Sequence, residues 1–149
     1  MTSRSQRDAR SPLVVDEATS ARLGRIRQRG TGPELRVRAM LRELGVRHGQ
    51  ARRRLPGSPD LVNVSAGWCI FVHGCFWHAH AKCPNATVPK RNRSFWLAKL
   101  GANRARDARV LREVRRLGFK AIVIWECDLR RRSAVVQRRL GRFLSASGP

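Results

Sequence analysis

The chain has no apolar run near the roughly 18 residues that a membrane-spanning helix needs. Its basic first residues, Met-Thr-Ser-Arg-Ser-Gln-Arg, are not followed by an apolar segment either. A bilayer span and a secretory leader are therefore not expected, and a cytoplasmic protein is. Acids are scarce: ten Asp and Glu stand against 32 Lys and Arg, for a formal net charge of +22 over 149 residues. Lysine is scarcer still, confined to Lys82, Lys90, Lys99 and Lys120, so the remaining cations are arginine. A genome that codes Arg in place of Lys would explain that ratio but not the excess over acids. So positive a field attracts polyanions, and the guanidinium forks well onto phosphate, so nucleic acid is the expected partner. Cysteine is also sparse, at four positions, which in a cytosolic chain favours metal ligands or core thiols over disulfides. With 42% apolar residues and no internal repeat, one domain of modest core is expected.

Residues 1–20 are polar, contain Ser11-Pro12 and show no period that would bury a face. They are expected to form a disordered basic arm, ahead of one folded domain over residues 21–149. Leu23 and Ile26 stand among arginines that suit either a helical turn or two against DNA or a frayed tail. Thr31-Gly32-Pro33 opens the first firm helix, because proline suits the first turn and Glu34 meets the positive end of the helix dipole. Leu35, Val37, Met40, Leu41 and Leu44 are its apolar residues, and Gly45 stops it. Residues 46–55, with His48 and Arg52-Arg53-Arg54, read as an edge strand or a loop facing phosphate.

Leu55-Pro56-Gly57-Ser58-Pro59-Asp60 is a turn that delivers Asp60 to a strand over residues 61–64. A second strand over 68–72 follows the short Ser65-Ala66-Gly67 turn, which predicts an antiparallel hairpin. Asp60 and the residues just after Val72 then lie at the same end of it. After an extended basic loop over 84–93, a helix is expected over 94–117, with Leu97, Leu100, Val110, Leu111, Val114 and Leu117 near a 3.6-residue period and Gly118 as its cap. Residues 119–125 read as a buried strand of the kind that follows a crossover helix, with Glu126-Cys127-Asp128 at its carboxyl end. A final basic helix is expected over 133–144. This is an α/β pattern.

The chemistry gathers in residues 71–83, Phe-Val-His-Gly-Cys-Phe-Trp-His-Ala-His-Ala-Lys-Cys. Imidazole and thiolate bind transition metals and move protons near neutral pH, and packing alone gives no reason to collect His73, His78, His80, Cys75 and Cys83 in one stretch. Cys75, His80 and Cys83 offer three soft ligands on one loop, and Cys127 can complete a tetrahedral set for a structural Zn2+. Metal-free core thiols are the alternative, since the spacing is not among the commonest zinc patterns. Cys69, in mid-strand, reads as a small buried apolar residue. An Asp at a strand start and a carbonyl at the end of its partner could hold Mg2+, which takes few carboxylates and keeps several waters. Asp60 is so placed, and Glu34 could orient a metal-bound water. Read alone, Asp60 would be a turn residue and Glu34 an N-terminal helix charge.

Together, Thr-Gly-Pro-Glu-Leu, Leu-Pro-Gly-Ser-Pro-Asp, Phe-Val-His-Gly-Cys-Phe-Trp-His, Ser-Phe-Trp-Leu-Ala-Lys-Leu-Gly-Ala-Asn and Ile-Val-Ile-Trp-Glu-Cys resemble the very-short-patch repair endonuclease (Vsr) family, over about residues 20–132. The resemblance implies a restriction-endonuclease-like α/β fold related to the PD-(D/E)XK nucleases, with a mixed sheet flanked by helices and a structural zinc site. It implies Mg2+-dependent nicking of double-stranded DNA on the 5′ side of the thymine in a T:G mismatch left by 5-methylcytosine deamination. A monomer would do this, with mismatch-repair proteins as candidate partners.

By the same resemblance Asp60 is the Mg2+ carboxylate and the Val72 backbone carbonyl a second ligand. His78 is the general base or acid at the attacking water, His73 a phosphate-side helper and Glu34 a supporting acid. The zinc set maps onto Cys75, His80, Cys83 and Cys127. Phe71 and His73 stand where related nucleases place an acid and a lysine, so two histidines would take over the role of lysine. Phe76, Trp77 and Trp96 correspond to a wedge that enters the base stack beside the mismatch, where unstacking costs least. Lys99 and Asn103 match positions that reach the mismatched pair, although alone they would be solvated helix residues. Two other readings fit the residues: a zinc-containing DNA-binding module without catalysis, and a restriction-type nuclease acting on unmismatched DNA.

Overall fold

The computed structural model describes residues 30–49 and 55–146. Within them run α1 (Gly32–Glu43), β1 (Leu61–Asn63), β2 (Trp68–His73), α2 (Arg93–Arg116), β3 (Lys120–Trp125), α3 (Glu126–Arg131) and α4 (Ser133–Ser145). The expected basic arm and Arg52-Arg53-Arg54 lie outside the described residues.

The expected hairpin is present. β1 and β2 pair antiparallel, with Leu61 opposite Ile70 and Asn63 opposite Trp68. Gly67 takes a φ of +68°, and the Asn63 side chain accepts the Ala66 N–H at 2.9 Å, which closes the turn. β3 lies parallel to β2, with Trp68 opposite Lys120 and His73 opposite Trp125. Parallel neighbours need a long return rather than a hairpin, and the 24 residues of α2 make it. The sheet order is β1-β2-β3, and an antiparallel bridge between Gly49 and Val62 adds a contact where an edge strand or loop was expected.

Because strand side chains alternate, the sheet has two faces, and helices cover both. Leu61, Trp68, Ile70, Ile122 and Ile124 pack with Val37, Met40 and Leu41 of α1, Leu129 of α3, and Val136 and Leu140 of α4. On the other face Val62, Cys69 and Phe71 meet Val114 of α2, with Val110 and Leu111 beside them. Burying each large side chain contributes about 1.5–3 kcal/mol, so these two clusters set the layer order. The result is a mixed α/β architecture. Among the described residues, no helix is long and apolar enough to cross a membrane.

Four leucines expected on apolar faces are instead exposed: Leu35 by 52%, Leu44 by 38%, Leu97 by 51% and Leu117 by 58%. Leu35 precedes Val37 by two positions and so lies roughly 200° around the helix from it. Leu44 and Leu117 are C-cap residues at helix ends, and Leu97 lies ahead of the stretch of α2 that packs on the sheet. The last strand is also less buried than expected, with only Ile122 and Ile124 fully inside, because its other face is only partly covered by α2. Glu126-Cys127-Asp128 do lie at its carboxyl end, where they begin the short helix α3.

The loop that carries Asp60 rests directly on α2. Gly57 has a φ of +71°, and a Cβ added there would lie 2.3 Å from Val110 Cγ1. Gly57→Ala is therefore expected to lower stability by about 1–3 kcal/mol in urea unfolding, through backbone strain and overpacking together. A change below about 0.5 kcal/mol, the level of an ordinary surface substitution, would show that the loop is not seated on Val110.

Candidate active site and metal centre

The start of β1 and the ends of β2 and β3 meet at one edge of the sheet. A cleft of about 960 Å3 opens there, lined by Asp60, Val72, His73, Trp77 and His78 together with Lys99, Asn103 and Asp107 of α2 and Glu126 of α3. Hairpin register puts Asp60 in place. Its N–H donates to the Ile70 carbonyl at 3.0 Å, and its Oδ2 accepts the Val72 N–H at 2.7 Å. Burial pushes the Asp60 carboxyl above its ordinary value, against the Val72 hydrogen bond, and the neighbouring Glu34 adds to the rise. Such a carboxylate favours a cation beside it.

Glu34 stands behind the cleft. It is 4% exposed, with Oε2 accepting the Gly30 N–H at 2.8 Å and Oε1 accepting from Arg38 at 2.7 Å. Both oxygens thus hold the first turn of α1, and Glu34 acts on Asp60 through its field.

His78 Nδ1 lies 2.6 Å from Asp107 Oδ2. A carboxylate only accepts, so Nδ1 carries a proton, and in the neutral ring this leaves the lone pair on Nε2. The His73 ring lies flat on that of His78, with centroids 3.7 Å apart and planes 4° from parallel. Burial first, and His78 next, lower the His73 pKa to about 4, so this ring is neutral at neutral pH. It can help a phosphate by hydrogen bonding but not by charge. Donor atoms of His73, His78 and Asp107 lie within 4.8 Å of one another, as in a metal site. Stacked parallel rings, however, direct their lone pairs side by side rather than at one point, so the geometry favours proton handling over ligation.

Asp107 is not singled out by the sequence. Its signal is that α2 contains only two acids, Asp107 and Glu113. Asp107 also lies four residues after Asn103 and hence on the same helix face. Asn103 donates from Nδ2 to the Trp77 carbonyl at 2.9 Å, so in this structure it fastens the loop after β2 to α2. Lys99, about one turn earlier, is exposed at the cleft. The three aromatics form one cluster, with Phe76 5.0 Å from Trp77 and 5.4 Å from Trp96. They are not equally available. Trp96 is only 7% exposed, because its helix turns it under the loop, so Phe76 and Trp77 present the surface and Trp96 supports them.

Cys75, His80, Cys83 and Cys127 bring their donor atoms within 4.8 Å of one another, and Cys127 Sγ lies 3.4 Å from His80 Nδ1. Ligands of a tetrahedral Zn2+, at about 2.0–2.3 Å, stand about 3.4–3.8 Å apart, so the set fits that ion. Two tight turns shape the loop. His80 N–H donates to the Cys75 carbonyl at 2.9 Å, and Ala79 and Lys82 take φ of 46° and 57°. Burial pushes the Cys75 thiol up to about 12 and raises Cys127 as well. Cys83, against a burial penalty, is drawn down by the Asn85 N–H and by the two other thiols. Thiols packed so closely share protons, which a divalent cation would displace. Cys69 lies apart, fully buried against the α2 side of the core and pushed up to about 12 by burial.

The DNA mismatch endonuclease Vsr family model matches residues 14–84. The type II nicking enzyme V.NmeAIP of Neisseria meningitidis is 38% identical over 120 residues, 80% of this chain and 84% of its own length. V.XorIIP of Xanthomonas oryzae, also a type II nicking enzyme, is 39% identical over 122 residues, 82% of this chain and 88% of its own. The DNA mismatch endonuclease Vsr of Escherichia coli is 38% identical over 128 residues, 85% and 81% of the two chains. Likeness of this extent, in a strongly basic chain whose cleft joins a half-buried carboxylate to an imidazole, makes the protein a DNA endonuclease. It belongs to the DNA mismatch endonuclease Vsr family.

Asp107→Asn is expected to lower the nicking rate by about 10²–10⁴-fold, because His78 loses the partner that sets its tautomer, while duplex affinity stays nearly constant. An unchanged rate would remove Asp107 from the site. Cys127→Ser is expected to release bound zinc and lower the melting temperature. Unaltered metal content by elemental analysis would dismiss the four-ligand set.

Proposed function

We propose that this protein is a Mg2+-dependent mismatch nickase that cuts the strand on the 5′ side of the thymine in a T:G mismatch arising from 5-methylcytosine deamination. In this reading the small mixed sheet belongs to a restriction-endonuclease-like fold, and a monomer works in the bacterial cytoplasm with mismatch-repair proteins as candidate partners. The observation that carries the proposal is that Asp60 and His78, 18 residues apart in number, line one cleft. A phosphodiester entering it can meet both.

The family implies a divalent metal. Here the Asp60 carboxylate and the Val72 carbonyl would hold Mg2+, which when bound supplies positive charge against the charge that develops on the phosphate. The protein's own groups do the rest. His78 Nε2 takes the proton of the attacking water, and Asp107 holds the ring and offsets its new charge. His73 stays neutral, keeps the plane of His78 and can hydrogen-bond a phosphate oxygen. Glu34 orders the α1 turn behind Asp60.

A Zn2+ held by Cys75, His80, Cys83 and Cys127 would tie the loop after β2 to the start of α3. Four protein ligands leave no open position, so its role is structural. Phe76 and Trp77 form the wedge, with Trp96 beneath, and Lys99 and Asn103 stand where a mismatched pair would lie. The arginine-rich surface holds the DNA backbone through charge, which makes affinity salt-sensitive.

The test is a supercoiled plasmid with or without one T:G pair. Wild-type protein with Mg2+ is expected to nick the mismatched plasmid on the thymine strand and to leave it unlinearised. His78→Ala is expected to abolish the nick and keep mismatch binding. Linearisation of the mismatch-free plasmid at an equal rate would overturn the repair assignment in favour of a restriction-type nuclease. Binding without any cut would leave a DNA-binding module.

A further inference from the structure

Between the metal set and the acid–base pair stands one residue to which neither assigns a part. Trp125 ends β3 directly opposite His73 in the parallel register, and Cys127 follows two residues later. By strand alternation Trp125 continues the row of Ala121 and Val123, on the α2 side of the sheet where Phe71 also lies. Its indole lies flat against the ring of His80, with centroids 3.9 Å apart and planes 5° from parallel. Its contact with His73 is edge-on, at 5.2 Å and 77°. His73 in turn lies flat on His78. One column of four rings therefore runs from the candidate metal ligand His80 to His78 at the cleft.

The column supplies what hydrogen bonding leaves open. A single bond to Asp107 fixes the place of His78 Nδ1, yet the ring can still rock about that bond and swing Nε2 away from a water. A flat neighbour fixes the plane. His73 is that neighbour, and the edge contact with Trp125 sets the plane of His73. At the far end, an imidazole bound to a divalent cation becomes electron-poor and is drawn more strongly to the indole face. An aliphatic side chain at position 125 would fill the volume without setting any plane.

We propose that Trp125 is a positioning residue that carries the rigidity of the metal centre to His78, so that a filled Cys3His set aims the proton-accepting nitrogen. The part concerning His78 rests on the proposed function above. Zinc-loaded wild type, Trp125→Phe and Trp125→Leu provide the test, each measured for zinc per chain, melting temperature, affinity for a T:G duplex, single-turnover nicking and the ring 15N resonances of its histidines.

Both variants are expected to keep their zinc and to bind the duplex nearly as wild type does. Trp125→Leu is expected to nick at least about tenfold more slowly, given that a misplacement of about 1 Å can cost ~10²-fold. Trp125→Phe, which keeps a smaller ring, is expected to lose less. The His73 and His78 resonances should move in Trp125→Leu while those of His48 stay. A wild-type nicking rate in Trp125→Leu overturns the proposal. So does a rate loss that only tracks lost zinc, because Trp125 would then be packing alone. If Trp125→Leu does not fold, Trp125→Phe decides, and a wild-type rate with unmoved His78 resonances rejects the column. If wild type itself fails to nick the T:G duplex, the functional reading falls separately, and unmoved resonances in the variants would still refute the positioning role.

Discussion

The hydrogen bond from the Val72 N–H to the Asp60 carboxylate, 2.7 Å long, joins the two strands where the cleft opens. It exists only because Leu61 pairs with Ile70, which leaves Asp60 one step beyond the ladder, opposite Phe71, with its side chain in reach of the next N–H, that of Val72. Side-chain period in a strand is two, so a slip of one residue would turn Asp60 into the core and Leu61 out of it. β2 is the central strand, and its second register, with β3, sets His73 against Trp125. Carboxylate, imidazoles and the Cys–His loop are thus located by two strand pairings that the hydrophobic core enforces.

Charge around this point runs against the rest of the molecule. The chain has only ten acids, yet Asp60, Asp107 and Glu126 line the cleft and Glu34 stands just behind it. Arginines elsewhere draw a phosphate backbone in, while the carboxylates in the cleft would repel it. A divalent cation between carboxylate and phosphate removes that conflict, as the family's need for a metal would have it. Burial raises the affinity of Asp60 for a positive partner, a proton when no metal is present.

Of the loop after β2 only Cys75 is fully buried, and polar contacts hold the rest from two sides. On the α2 side, Asn103 takes the Trp77 carbonyl at 2.9 Å and Asp107 takes His78 at 2.6 Å. On the other side, His80 and Cys127 approach at 3.4 Å within the thiol–imidazole set. Polar pins of this kind order a loop without covering it, so the rings of His78 and Trp77 remain at the cleft surface.

Much of this was legible along the chain. The hairpin, α1, α2 and α4, the place of Asp60, and the gathering of Cys75, His80 and Cys83 are matters of near neighbours, where turn residues, strand alternation and helix period act directly. Cys127, just past the end of a distant strand, could be offered as the fourth donor, and the packing of the sheet brings it to the other three. What the tertiary structure alone decided depends on which helix face meets the sheet. Asp107, 29 residues from His78, becomes its partner only once α2 has crossed back over the strands. The way the helices dock buries Trp96 and leaves Leu35 and Leu97 exposed, and the packing of the loop on the strand ends stacks His73 on His78 and His80 on Trp125. Amino-acid order sets which groups are available and the local backbone that carries them. Rings and carboxylates meet face to face only when distant segments pack at a fixed angle and depth, and no local period encodes that.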